Sequence, residues 1–127
     1  MTDEQLRFLE NAFPGIVTTV RPDGSPHNTV VWVDVDNGLP SFNTAAGRAK
    51  PNHLERDERV GLTVVDPSDM YRWLAIDGRA EVTTDGAEEQ IGKLSRKYDG
   101  KDWEYRSGEQ RLKIRIHPDH ITAYGFD

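Results

Sequence analysis

Residues 111–116, RLKIRI, carry the cleanest two-residue period in the chain: Leu112, Ile114 and Ile116 alternate with Arg111, Lys113 and Arg115. Successive side chains of an extended strand point to opposite faces, so this stretch predicts a strand with one apolar and one basic face. Downstream, His117-Pro118-Asp119-His120 predicts a turn, and residues 121–126 a closing strand. Upstream, residues 15–20 (GIVTTV) are β-branched and read as a strand, followed by a turn at Arg21-Pro22-Asp23-Gly24. Residues 27–35 (HNTVVWVDV) predict one strand buried on one side along its whole length, and Asp36-Asn37-Gly38 a hairpin to residues 39–43, completing a three-strand meander. Residues 60–65 and 71–82 add two more strands. Helical spacing marks residues 2–11, with Thr2 as N-cap, and 85–98, while 47–59 (GRAKPNHLERDER) predicts a short polar helix.

About seven strands joined mostly by tight turns, with three helices, predict a mainly β fold: an antiparallel barrel or sandwich with peripheral helices. The 127 residues suit a single domain, 1–127. No strand, Gly-rich loop and helix follow one another, which excludes a dinucleotide fold of the Rossmann or P-loop kind.

Composition narrows the function classes. The chain has no cysteine, so disulfides, thiolate zinc sites and thiol nucleophiles are excluded. With 16 basic and 22 acidic side chains the net charge is −6, which argues against binding nucleic acid through its backbone. No run approaches the ~18 apolar residues of a membrane span, and the acidic start is unlike a signal peptide, so a cytoplasmic location is expected. No Gly-x-Ser-x-Gly elbow is present. The four histidines lack metal-ligand spacing, and a turn at Pro118-Asp119 would spread His117 and His120 apart, so no metal is expected.

Two places remain where chemistry gathers. In residues 41–59 (SFNTAAGRAKPNHLERDER) a strand ends at Asn43-Thr44, and Arg48 and Lys50 arrive at a helix start. Helix N–H groups, two cations and a hydroxyl make an anion site. The alternative is a solvated helix start whose charges pair with Glu55, Asp57 and Glu58. The second place is Tyr71-Arg72-Trp73, where strand alternation puts Tyr71 and Trp73 on one face; with Trp32 they would flank a flat ring, and otherwise they are core.

Three segments together resemble a known family: Pro22-Asp23-Gly24-Ser25-Pro26, the Arg48-Ala49-Lys50…Leu54-Glu55-Arg56-Asp57 block, and Asp77-Gly78-Arg79-Ala80. They resemble the split β-barrel flavin and deazaflavin oxidoreductases related to pyridoxamine 5′-phosphate oxidase, in particular the branch using coenzyme F420. The resemblance implies an FMN-binding-like split barrel and a homodimer with cofactor sites at the interface. It places the cofactor phosphate on Arg48, Ala49 and Lys50, with His53 approaching it. It sets Asn43 and Thr44 on the ring or ribityl chain, and Asn28, Val30 and Trp32 along the ring. It assigns Tyr71 and Trp73 to the substrate pocket and requires no catalytic side chain, because the cofactor carries the chemistry. The implied activity is an F420H2-dependent reductase passing hydride to a conjugated acceptor such as an enone, quinone or tetrapyrrole. The alternatives are an FMN oxidase or reductase of the same fold and a non-catalytic cofactor- or tetrapyrrole-binding module.

Overall fold

The structure is a computed structural model that describes residues 1–126. Three helices, α1 (Asp3–Leu9), α2 (Ala49–Arg56) and α3 (Ala87–Asp99), surround seven strands. These are β1 (Gly15–Val20), β2 (Pro26–Val31), β3 (Val33–Asp36), β4 (Leu39–Ala45), β5 (Arg59–Asp66), β6 (Asp69–Thr83) and β7 (Arg111–Tyr124). All pair antiparallel in one sheet of order β2-β1-β5-β6-β7-β4-β3. Thr2 caps α1, as the sequence predicts, and the structure adds a reciprocal pair with Gln5. None of the described helices is long and apolar enough to cross a membrane.

The strand total agrees with the sequence reading, but the partition differs in two places. Residues 27–35 are two strands, interrupted at Trp32: β2 pairs with β1, whereas β3 pairs with β4. The predicted meander is therefore broken, and its two parts lie at opposite ends of the sheet order. Conversely, no turn separates residues 112–116 from residue 121 onward, because β7 runs without interruption to Tyr124. Pro118 lies beyond the stretch of β7 that pairs with β4, and Asp119 bulges between the pairs Gly78↔Pro118 and Asp77↔His120. A proline is tolerated there because the ladder is already irregular. Gly78 fits the same irregularity, since a Cβ on it would collide with the His117 carbonyl oxygen.

Trp32 also dictates the shape of the sheet. Seven strands laid flat would separate β2 from β3 by about 29 Å, at roughly 4.8 Å per strand. The chain must cross from Val31 to Val33 in two residues, at most about 7 Å. The sheet therefore curls until its edges almost meet, forming a half-barrel whose seam lies at Trp32. Inside it pack Val17, Phe42, Leu62, Leu74, Ile114 and Ile116, all essentially inaccessible to water.

Helix α3 stitches the seam. The Val33 N–H donates to the Tyr98 hydroxyl (3.0 Å), which donates to the Phe13 carbonyl (2.6 Å). Lys97 Nζ donates to the Val33 and Leu9 carbonyls. These contacts satisfy the Val33 backbone groups at the break in the ladder and the carbonyls of Leu9, at the end of α1, and Phe13, in the loop after it. Gly15, opposite the seam, leaves room for Val33: a Cβ at Gly15 would overlap the Val33 Cγ2 methyl. Gly15→Ala is thus expected to force the barrel edges apart and lower stability by about 1–3 kcal/mol. Urea unfolding checks this, and an unchanged midpoint would contradict the tight closure.

Candidate functional site

A cleft of about 240 Å³ opens at the seam, lined by Val30 and Val31 from the end of β2, Trp32 at the break, Asn43 and Thr44 from β4, and Arg48 and Lys50 from the start of α2. Ile91 and Leu94 of α3, Trp103 of the following loop, and Arg111 at the head of β7 complete it. Of the residues expected from sequence, Val30, Trp32, Asn43, Thr44, Arg48 and Lys50 are brought together here. Asn28, Ala49, His53, Tyr71 and Trp73 are not among the lining residues.

These five residues lie outside the cleft lining. Asn28, exposed on the outer face of β2, accepts from the Thr18 hydroxyl. Ala49 is the first residue of α2, between the two cations. His53 lies one turn along α2, where Nδ1 is 2.9 Å from the Thr19 hydroxyl and the ring meets His27 edge-on at 5.0 Å. Tyr71 is exposed, and Trp73 stacks on Tyr124 at 6.1 Å. Trp32 does not join Tyr71 and Trp73; it stacks on Tyr98 at 5.6 Å and meets Trp103 edge-on.

The cleft is cationic. Arg48 forms the N-cap of α2 with no side-chain cap on the helix N–H groups. The pairing of Arg48 and Lys50 with Glu55, Asp57 and Glu58, the solvated alternative, does not occur. Asp57 is engaged by hydrogen bonds from Arg59, which hold its carboxyl down at about 2. Lys50 has no carboxylate partner among the described residues, and burial, then the charge of Arg48, lowers its pKa. Arg48 instead reaches Glu109 at 3.9 Å, and Glu109 pairs at 3.0 Å with Arg111. Three cations thus face the cleft against one carboxylate behind them.

The sequence sets Arg111 on the basic face of its strand with Lys113 and Arg115 but gives it no place in a cleft. It is 5% exposed, because α3 covers that face of β7. The other two members of that face, Lys113 and Arg115, share Asp36, and Arg115 pairs with Glu81 as well. Arg111 Nε donates to Asn43 Oδ1 (2.9 Å), and its guanidinium lies 5.1 Å from the Trp103 ring centroid. No sequence signal marked Trp103 either, since it lies in an irregular loop.

Two buried polar atoms in the cleft have no partner: Thr44 Oγ1, on a residue 1% exposed, and Trp103 Nε1. Unmet polar atoms beside three cations that share one carboxylate suit a ligand that brings both negative charge and hydrogen-bonding atoms. The histidines elsewhere do not converge: His117 pairs with Glu81 and His120 with Asp77.

A half-barrel of this strand order with a cationic cleft at its seam defines a class, and comparison with known proteins identifies it. The pyridoxamine 5′-phosphate oxidase family pattern matches residues 1–123, and the chain belongs to that family. It is 33% identical over 87 residues to an F420H(2)-dependent biliverdin reductase of Mycobacterium tuberculosis, covering 67% of this chain and 61% of that protein. The chain therefore spans less than two-thirds of that relative's length. A solved F420 reductase superimposes with a TM-score of 0.81 at 29% identity, covering 91% of this chain and 94% of the other. A conserved hypothetical protein of M. tuberculosis shares the fold, with a TM-score of 0.79 at 24% identity over 98% of this chain and 84% of the other.

His53 carries a consequence for pH. Burial, then His27, Arg56 and Arg21, lower its pKa below the usual value. The unfolded chain takes up this proton near pH ~6.5, where the folded chain resists it. The associated stability is therefore whole above that pH and is lost as the pH falls toward the lower folded value. The urea midpoint is expected to drop on acidification from about pH 7 to about 5.5, with a shallower drop in His53→Asn. Equal slopes in the two proteins would contradict it.

Proposed function

We propose that the chain is an F420H2-dependent oxidoreductase that reduces a conjugated small-molecule acceptor. The observation that carries this reading is the convergence of Arg48, Lys50 and Arg111 with two unpartnered polar atoms beside Trp32 in one cleft. The names of the M. tuberculosis relative and of the solved F420 reductase support the choice of deazaflavin, and the former supports a tetrapyrrole acceptor.

Bound here, reduced F420 would supply a hydride to an electrophilic carbon of the acceptor, and water or Tyr71 would supply the proton. The residues of this chain bind and orient. Arg48 and Lys50, with the uncapped N–H groups of α2, hold a phosphate, Arg48 by its planar fork and Lys50 as a point charge. Thr44 Oγ1 and Trp103 Nε1 hydrogen-bond the polar chain or ring edge. Trp32, backed by Tyr98, forms a flat wall, and Ile91 and Leu94 exclude water. Holding two planar partners in near-attack geometry is a sufficient role for such a site.

Val30 supports a homodimer. It is 73% exposed although it lines the cleft, and it stands beside Ile16 on the neighbouring strand, also exposed. A second copy covering this apolar edge would close the mouth, and Tyr71 and Trp73 are assigned to the wall that such a copy contributes. Asn28, on the same outward face, would then lie at the interface.

Titration with F420, followed by its fluorescence, is expected to saturate; absence of binding would overturn the reading. A yellow protein as purified, carrying tight FMN, would favour the flavin alternative, and binding without turnover of enone, quinone or tetrapyrrole acceptors would favour a carrier. Arg48→Ala with Lys50→Ala is expected to weaken F420 binding at least tenfold, since each charge-assisted contact contributes about 1.5–3 kcal/mol. Wild-type affinity in that variant would put the anion site elsewhere.

A further inference from the structure

We propose that Gln90 is a positioning residue whose side-chain amide, oriented by Asp34, sets Asn43 and through it the Arg111 guanidinium in the cleft. The proposal rests on the cofactor reading for its function, though not for its geometry.

Gln90 lies on α3 and is 4% exposed, as is Asp34 on β3. Its Nε2 donates to Asp34 Oδ2 (3.2 Å) and to Ser41 Oγ (2.8 Å). The Ser41 hydroxyl places its own hydrogen on the Ile114 carbonyl (2.7 Å), so toward Gln90 it acts only as an acceptor. Asp34 accepts on its other oxygen from Lys93 Nζ at 2.7 Å, and a carboxylate has no hydrogen to offer. Two acceptors therefore face Nε2, and the amide has one allowed orientation.

The consequence passes along the chain. Gln90 Oε1 must point to Asn43, where it accepts from Nδ2 at 3.0 Å. Asn43 Nδ2 places its second hydrogen on the Ala87 carbonyl at 2.7 Å, so the amide oxygen is turned toward β7. That oxygen accepts from Arg111 Nε at 2.9 Å. Glu109 holds Nη1 and the Trp103 ring lies beside the guanidinium, so Arg111 is restrained from three directions. The Asn43 amide is thus set from two sides, by the Ala87 carbonyl and by the Gln90 oxygen that Asp34 and Ser41 orient, and its direction is read out at the cleft. Buried polar chains of this kind are sensitive to the identity of each atom, because a reversed amide sets donor against donor.

The atom-by-atom logic makes a reciprocal test possible. In Asp34→Asn the amide oxygen stays with Lys93, and the new NH2 confronts Gln90 Nε2, forcing Gln90 to turn over and oppose Asn43. In Gln90→Glu two carboxylates confront each other. In the double variant the new amide at position 34 donates through its NH2 to the new carboxylate at position 90. The Ser41 hydroxyl is then free to rotate, and the other oxygen of that carboxylate accepts from Asn43 as before.

The readout is the Arg111 Nε–H signal in ¹⁵N NMR spectra of the protein without added ligand, assigned by its loss in Arg111→Lys. Each single variant is expected to speed its solvent exchange about tenfold or more, the effect of a lost buried hydrogen bond, and the double variant to restore protection. A purely packing role would give singles whose effects add in the double. Gln90→Met, which keeps volume and helix propensity, is expected to speed exchange as well, and it serves if either carboxylate variant fails to fold. Unchanged protection in Gln90→Met, or a double variant as poor as the sum of the singles, would overturn the proposal. F420 titrations of the same proteins form a separate arm, in which affinity should follow Arg111 protection. Failure of the wild type to bind F420 would remove the functional reading and leave the Arg111 signals to decide the relay.

Discussion

The two-residue step across Trp32 is the constraint on which the rest of the structure depends. It ties together strands that stand at opposite ends of the sheet order, and a covalent chain cannot stretch to a flat sheet's width. Closure follows, and with it an interruption in the ladder that must be satisfied from elsewhere. Tyr98 and Lys97 of α3 provide the missing partners, and in doing so a phenol and an ammonium group are drawn out of water. Burial lowers the Lys97 pKa and raises that of Tyr98, the directions expected when each charged form is removed from water.

The same seam makes the cleft. Where β2 and β3 fail to pair, side chains of α3, α2 and the loop before β7 line the gap rather than a neighbouring strand. The positive charge gathered there is local. Net charge is −6, yet Arg48, Lys50 and Arg111 face one carboxylate, and an anion within the ~8–10 Å screening length responds to these groups before it responds to the average. Arg111 differs from the other two in being buried and restrained. Its rigidity comes from Asn43 and the polar chain beneath α3, and that of Trp32 from its stack on Tyr98.

Much of this was legible in the amino-acid sequence. The three helices, the β-branched strands and the Arg48–Lys50 pair are local signals, written in periodicity, turn chemistry and capping. The break at Trp32 was not legible, because HNTVVWVDV has the composition of one continuous strand and no glycine or proline punctuates it. The Pro-Asp pair misled in the opposite sense: a turn dipeptide by preference, it is held within β7 by pairing with β6. His53 was drawn toward the phosphate by its place on α2, but it lies a turn beyond Lys50 and packs on Thr19 and His27.

The sequence by itself determined the three helices, the mainly β class, the family resemblance and the two cations at the head of α2, because each depends on residues close together in the chain. Only the tertiary structure decided that the barrel closes at Trp32, that Trp103 and Arg111 join the cleft, and that Gln90 lies behind Asn43. Those placements depend on which face of β7 the helix α3 covers. Alternation in RLKIRI says that two faces exist and that they differ; it cannot say that the basic one will be buried. Burial of Arg111 became affordable only when Asn43 and Glu109, 68 and 2 residues away, were folded against it.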